Sequence, residues 1–180
     1  MATDTLKTGS QAPAFTLPAA TDGKMYSLES FAQKKALVVI FSCNHCPYVQ
    51  AYEDRIMEIQ KDYSKDLQII AISSNEDENY PEDSFEKMKE RASMKGFNFP
   101  YLHDATQSVA KAYGATHTPE IFLFDSERKL VFHGKIDDNW QEPQSVKSKY
   151  LRNAIDELLS GKQISVPETF TIGCTIKWKK

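Results

Sequence analysis

The sequence predicts an α/β protein of three layers, with a central mixed β-sheet between helices and a β-hairpin at its N-terminal end. Three observations carry this. The apolar run Ala36 to Phe41 is strand-sized, and helical periodicity follows it, with Val49, Tyr52, Ile56, Ile59 and Tyr63 at intervals of three and four. A second apolar strand, Leu67 to Ile72, comes next, so strand, helix and strand form a crossover unit with parallel pairing. Further on, Ile121 to Phe124 and Leu130 to Phe132 bracket Asp125-Ser-Glu-Arg128 as an antiparallel hairpin would, and a covering helix follows.

In chain order, residues 1–12 are polar and irregular and are expected to be loosely held. Phe15 to Leu17 and Met25 to Leu28 flank Thr21-Asp-Gly-Lys24, whose Asp-Gly pair favours a tight turn, so these segments predict a short hairpin. A short helical segment is expected from Ser30. Ala36 to Phe41 shows no polar alternation, which suits a central strand covered on both faces. Pro47 suits the first turn of the helix that begins around Tyr48. Ser74 to Asp83 is acidic, contains Pro81 and reads as a solvated loop. Ser84 to Lys95 places Phe85, Met88 and Ala92 on one helical face and ends at Gly96. Phe99 to Leu102 is a short apolar link, and Ala105 to Tyr113 is a short helix closed by Gly114. The last helix runs from about Ser148 to Leu159, with Leu151, Ala154, Ile155 and Leu158 as its apolar stripe and Gly161 as its stop. A tail carrying Cys174 beside Ile176 and Trp178 completes the chain.

A chain of 180 residues fits a single domain, here a core of about 10–160 and a C-terminal tail of 161–180, and can bury a core without disulfide staples. Its apolar and charged fractions, 41% and 26%, are those of an ordinary soluble protein. A net charge of −3 argues against nucleic acid or an anionic membrane as partner, since both call for a basic excess. Met1 to Pro18 does not resemble a signal peptide and no apolar run approaches the roughly 20 residues of a membrane span, so a cytoplasmic protein is expected.

The chemistry sits at the end of the first long strand, in Ser42-Cys43-Asn44-His45-Cys46-Pro47. Two cysteines separated by two residues, after a buried strand and before a helix, point to a thiol–disulfide site. Only a thiolate attacks a disulfide, and the free thiol pKa of ~8.5 must fall for it to be populated at neutral pH. Cys43 is expected at the N-terminal edge of the helix, where unpaired N–H groups and the dipole favour its anion. His45, between the cysteines, is expected to deepen that shift.

Together the element order and motifs resemble the thioredoxin fold, and more closely its redoxin branch of peroxiredoxin-like and TlpA-like thiol–disulfide oxidoreductases. The resemblance rests on Cys43-Asn-His-Cys46-Pro47 after the apolar strand and on Thr118-Pro119 directly before Ile121–Phe124. It rests also on Ala12-Pro-Ala-Phe-Thr-Leu17 with Asp22-Gly-Lys24, and on Phe122-Leu-Phe-Asp125 with Gly134. It covers roughly residues 10–160. It implies a cis bond at Thr118–Pro119 facing the cysteines, with Pro119 keeping the groove open and the Thr118 backbone pairing with an extended substrate. Cys43 would attack a substrate disulfide, and Cys46, the more buried, would resolve the mixed disulfide. The implied partners are a protein or small-molecule disulfide and a second redox partner that reduces or oxidises the pair; no cofactor is called for. His45 stands where the DsbA oxidants carry histidine, which implies a pair more oxidising than thioredoxin's.

Some family features are missing. The buried acid of thioredoxins, six residues before the first cysteine, is Leu37 here, and the acid of many TlpA-like proteins is Val49. Ser42 stands where thioredoxins carry tryptophan. The acid–base group is therefore unassigned, Glu120 being a candidate by its place beside Pro119. The peroxide-holding proline and threonine of peroxiredoxins correspond to Ala36 and Ile40, which argues against a dedicated peroxidase.

Other readings stay open: a peroxiredoxin-like antioxidant, a copper or zinc thiolate protein, or a binding module without turnover. Zinc sites usually want a second cysteine pair, and Cys174 stands alone. Cys43, His45 and Cys46 suit Cu(I), and His133 stands where SCO-type copper proteins of this fold use a histidine, but those proteins space their cysteines differently. No metal is assigned. Cys174 is either a packed thiol, the favoured reading, or a resolving thiol should the tail fold back. His117 lies on the groove or the surface, His103 and His133 are structural, and the rings of Tyr48, Tyr52 and Tyr63 belong to core and helix surface.

Overall fold

The computed structural model describes residues 4–180. Nine strands and four helices follow one another among them: β1 (Thr16–Pro18), β2 (Met25–Ser27), β3 (Ala36–Ser42), α1 (Pro47–Asp62), β4 (Leu67–Ser73), α2 (Phe85–Lys95), β5 (Tyr101–His103), α3 (Ser108–Tyr113), β6 (His117–Thr118), β7 (Glu120–Phe124), β8 (Leu130–Gly134), α4 (Tyr150–Leu159) and β9 (Cys174–Thr175). The central sheet has the order β5-β4-β3-β7-β8, parallel through β5, β4 and β3 and antiparallel through β7 and β8. It is the mixed sheet expected from the sequence, with β1 and β2 as the antiparallel hairpin in front.

Strand periodicity divides the core in two. Val38 and Ile40 of β3 point into a cluster with Tyr52, Ile56 and Ile59 of α1, Met88 and Ala92 of α2, and Leu151, Ala154 and Ile155 of α4. Leu37, Val39 and Phe41 point the other way, to Val109, Ala110 and Tyr113 of α3, Leu17 of the hairpin, and Ile176. A strand buried on both faces needs an apolar residue at every position, which is why Ala36 to Phe41 lacks polar alternation. Ser84 caps α2 by accepting the Lys87 N–H, and Gly96 ends the helix at φ +67, the left-handed conformation that glycine tolerates best.

The structure corrects several expectations. Residues 4–12 are tied down: the N–H groups of Leu6, Gly9 and Ala12 donate to the carbonyls of Tyr113, Leu130 and Arg128. A Cβ on Gly114 would lie 2.4 Å from the Asp4 carbonyl oxygen, so that glycine admits the N-terminal segment to the end of α3. Residues 1–3, part of the stretch expected to be loose, lie outside the described residues. The Phe99–Leu102 link contains most of edge strand β5, whose three residues are too few for periodicity to show. Helix α3 starts at Ser108 rather than Ala105, and α4 at Tyr150 rather than Ser148. A single-turn 3-10 helix, Leu28–Phe31, replaces the segment expected from Ser30. The acidic stretch 74–83 is a solvated loop only between its ends: residues 77–79, 81 and 82 are exposed, whereas Ser74, Asn75 and Asp83 are buried in hydrogen bonds. The tail runs along β8, where His133 N–H donates to the Pro167 carbonyl and Thr169 N–H to that of His133, before β9 pairs with β6.

Candidate active site

The cysteines lie where β3 gives way to α1. Cys43 follows Ser42, the last strand residue, and Cys46 is the N-cap of α1 with Pro47 behind it. Proline fits there because its missing N–H would have no helical acceptor. Cys46 is the deeper thiol, but only just: the two are 0% and 2% exposed, so Cys43 is closed off as well. Thr118 bridges them. The Cys43 Sγ lies 3.4 Å from its Oγ1, and the Cys46 Sγ lies 3.3 Å from its carbonyl oxygen. The Thr118–Pro119 bond is cis.

Glu120 does not serve the cysteines. Its Oε2 accepts the N–H groups of Thr116 and His117 at 2.7 and 3.1 Å, and its Oε1 is 2.8 Å from His133 Nε2. It fixes the backbone that presents Thr118. His133 is thereby occupied on the sheet, and His103 stacks on Phe85. His117 lies half-buried on β6, its Nδ1 2.8 Å from Thr116 Oγ1. The Tyr48 ring packs against Trp140, Tyr52 donates to Asp137, and Tyr63 donates to Asp156.

The carboxylate beside the cysteines is Asp83, from the stretch expected to be solvated. It is fully buried. Its Oδ1 accepts the Asn44 N–H at 2.7 Å, and its Oδ2 accepts Asn75 Nδ2 at 2.8 Å and faces His45 Nδ1 at 2.5 Å. The His45 ring stacks on Tyr80 at 5.6 Å. Donor atoms of Cys43, His45 and Asp83 all lie within 4.8 Å of one another. Asn44 completes the frame: its Nδ2 donates to the Glu82 carbonyl, and its Oδ1 accepts the Tyr101 hydroxyl at 2.7 Å. Both inner residues of the Cys-x-x-Cys motif are thus held by one acidic turn.

The charge falls on the second cysteine rather than the first, against expectation. Cys46 is pulled down to about 4, above all by the Cys43 thiol, with the Cys174 thiol and the backbone N–H groups of Val49 and Cys174 adding to it. Cys43 is pushed up, because it donates to Cys46, because it is buried, and because Asp83 is nearby. Cys43 precedes the helix N-cap by three residues, so the helix terminus favours the Cys46 sulfur.

Cys174 is the third thiol. Its Sγ lies 2.9 Å from that of Cys46, and burial raises it to about 11, with its donation to Cys46 adding to the rise. Cys174 is packed, but against the cluster of Cys43, Cys46 and Val49, because the tail folds back to the motif. β9 lies antiparallel to β6, with Cys174 opposite Thr118 and Thr175 opposite His117. Ile176 N–H donates to the Thr116 carbonyl, Lys177 N–H to Asn75 Oδ1, and Gln107 Nε2 to the Lys177 carbonyl. Gly173 makes the approach possible, since a Cβ there would lie 2.1 Å from the Thr118 carbonyl oxygen.

Asp83, Asn44 and Tyr101 escaped the sequence reading, and Cys174 entered it with the resolving role as the less favoured alternative. A weak signal existed for two of them: Gly173 directly before Cys174 marks a close backbone approach, and Pro81 marks a turn able to aim Asp83 inward.

Strand order, crossing helices and a cis-proline opposite a Cys-x-x-Cys turn define a thioredoxin-like fold. It is shared with the thioredoxin domain of a thiol-disulfide oxidoreductase from Bacteroides vulgatus, with a TM-score of 0.60, 22% identity and coverage of 72% of this chain and 89% of that one. The chain belongs to the Redoxin family, whose model matches residues 7–150. Two solved structures are closer in sequence. One is an uncharacterized conserved protein of Geobacillus kaustophilus, 42% identical over 96% of this chain and 93% of that one, with a TM-score of 0.90. The other is a hypothetical protein of Sinorhizobium meliloti 1021, 39% identical over 98% and 97%, also with a TM-score of 0.90. No curated protein matches the chain. No helix among the described residues is long and apolar enough to cross a membrane.

Proposed function

We propose that this chain is a thiol–disulfide oxidoreductase in which Cys43 and Cys46 cycle between dithiol and disulfide. The observation that supports it best is the convergence of both sulfurs on Thr118, beside the half-buried His45 and buried Asp83, whose donor atoms lie within 4.8 Å of that of Cys43. In this reading Cys43 attacks the substrate disulfide. One sulfur of the substrate joins Cys43, the other leaves as a thiolate, and His45, oriented by Asp83, takes the Cys43 proton. The Cys46 thiolate then attacks Cys43, closes the intramolecular disulfide and releases the second substrate thiol. An external dithiol restores the reduced pair. The substrate is a protein or small-molecule disulfide, and the compartment proposed is the cytoplasm.

The test is reduction of a model protein disulfide by wild type, Cys43→Ser and Cys46→Ser. Loss of turnover in both variants is expected, with a trapped mixed disulfide on Cys43 in Cys46→Ser. Undiminished turnover in both would overturn the proposal.

Cys43, His45 and Asp83 offer a thiolate, an imidazole and a carboxylate, so metal binding is the second reading. Against it, both oxygens of Asp83 already accept hydrogen bonds from Asn44 and Asn75. Titration of the reduced protein with Zn²⁺ and Cu(I) decides between them; stoichiometric binding lost in Asp83→Asn would favour the metal site.

A further inference from the structure

The structure assigns a redox role to Cys174: it is a third exchanging thiol, which takes Cys46 from Cys43 and carries the resulting disulfide to the surface, where an external dithiol reduces it. This rests on the thiol–disulfide reading above and extends it to a residue outside the family-matched residues 7–150.

Three observations carry it. The first is distance. The Sγ atoms of Cys46 and Cys174 are 2.9 Å apart, so a bond of about 2.05 Å between them needs sulfur movements of roughly 1 Å. The second is exposure: Cys43 and Cys46 are buried, whereas Cys174 is only partly buried and is thus the thiol an outside reductant reaches first. The third is placement. β9 pairs with β6 so that Cys174 stands opposite Thr118, where the backbone beside the motif is offered for strand pairing. The chain's own tail fills that strand position and presents a sulfur there. Gly173, Ile176 and Lys177 hold it by independent contacts with Thr118, Thr116 and Asn75.

The step balances without any further reagent. After turnover the site holds a Cys43–Cys46 disulfide. Cys174, as its thiolate, attacks the Cys46 Sγ; the Cys174–Cys46 bond forms as the Cys43–Cys46 bond breaks. The electron pair of the broken bond leaves on Cys43, which takes up the proton that Cys174 has given. Oxidation level is unchanged and the disulfide has moved. Cys43 is again a thiol, and the dithiol reductant then attacks at Cys174, becoming oxidised as Cys174 and Cys46 return to thiols.

Disulfide mapping of the full chain tests this. Wild type and Cys43→Ser are oxidised with diamide, which takes up the two electrons and two protons of each dithiol as its hydrazine; free thiols are alkylated, and cysteine peptides are quantified by mass spectrometry. Wild type is expected to divide between Cys43–Cys46 and Cys46–Cys174 bonds. Cys43→Ser is expected to form Cys46–Cys174, with free Cys174 falling at least about tenfold. Cys174 fully alkylatable in both proteins, with Cys43–Cys46 present in wild type, overturns this inference alone. Absence of every disulfide in wild type overturns the oxidoreductase reading and this one together. The wild-type measurement stands even if the variant fails to fold.

Discussion

Gly173→Ala is the sharpest probe of what closes the site. The new methyl group would lie 2.1 Å from the Thr118 carbonyl oxygen, and ordinary contact begins near 3.4 Å, so the tail must withdraw by about 1.3 Å. The obstacle is backbone held by Glu120 through Thr116 and His117, so the tail is the partner that yields. Gly173 precedes β9 directly, so the withdrawal falls on the β6–β9 pairing. Two backbone hydrogen bonds at a net of about 0.5–1.5 kcal/mol each amount to roughly 1–3 kcal/mol. That shifts the balance between docked and lifted tail by roughly 5- to 150-fold. Cys43 is 2% exposed, so alkylation requires the lifted form, and its rate with iodoacetamide should rise by that factor in reduced, folded Gly173→Ala. An unchanged Cys43 rate, with circular dichroism like wild type, would show that the tail does not guard the cysteine.

Donation to Cys46 and burial push Cys43 up most, and Asp83→Asn removes the carboxylate charge that adds to them while keeping an acceptor for the Asn44 N–H; Cys43 should titrate at lower pH, and its alkylation near neutrality should quicken on the order of tenfold or less. Ultraviolet thiolate absorbance of the reduced protein should persist down to about pH 4 and vanish there in Cys46→Ser. Because the folded value for Cys46 lies below its ordinary 9.0, the stability it contributes is complete above about pH 9 and is lost as pH falls toward 4. The melting temperature of reduced wild type should therefore fall more steeply in that window than that of Cys46→Ser; parallel curves would refute the assignment of the charge. Arg91→Ala strands the buried Glu53 carboxylate, to which Arg91 donates through Nε at 3.0 Å. A loss of about 3 kcal/mol is expected, toward the low end because Arg91 keeps one side to solvent. That corresponds to a fall in Tm of roughly 6–12 °C by thermal circular dichroism.

What the sequence shows plainly is what local chemistry decides. Ala36 to Phe41 reads as a doubly covered strand because both of its faces are apolar, and Tyr48 to Tyr63 reads as a helix because one face repeats. Cys43 to Pro47 sits at their junction, and Thr118-Pro119 reads through the family resemblance. Asp83 was hidden because its neighbours are acidic and a charge run ordinarily faces water; its burial depends on Asn44, Asn75 and His45, none of them predictable as partners from spacing. The docking of Cys174 beside the motif was hidden for the opposite reason. The tail docks there through hydrogen bonds to backbone and to the Asn75 and Gln107 side chains, with Ile176 as the buried apolar residue nearby, so no periodic pattern announces it. The thiolate expected on Cys43 falls on Cys46 because Cys46, as the N-cap, is the sulfur next to the unpaired N–H groups of α1, three residues closer than Cys43.

The position of the tail and the position of the charge are not independent. Two of the donors that hold the Cys46 thiolate, the thiol and the backbone N–H of Cys174, belong to the tail. Lifting β9 from β6 removes both. Two opposing changes then meet at Cys46: it loses the two tail donors, and the desolvation that works against its anion is relieved. Its largest support, the Cys43 thiol, does not belong to the tail. Withdrawal of the tail therefore acts on access more than on charge. Asn75→Ala, which removes the acceptor of the Lys177 N–H, should raise the Cys43 alkylation rate as Gly173→Ala does, and an unchanged rate in both variants would separate the tail from the site.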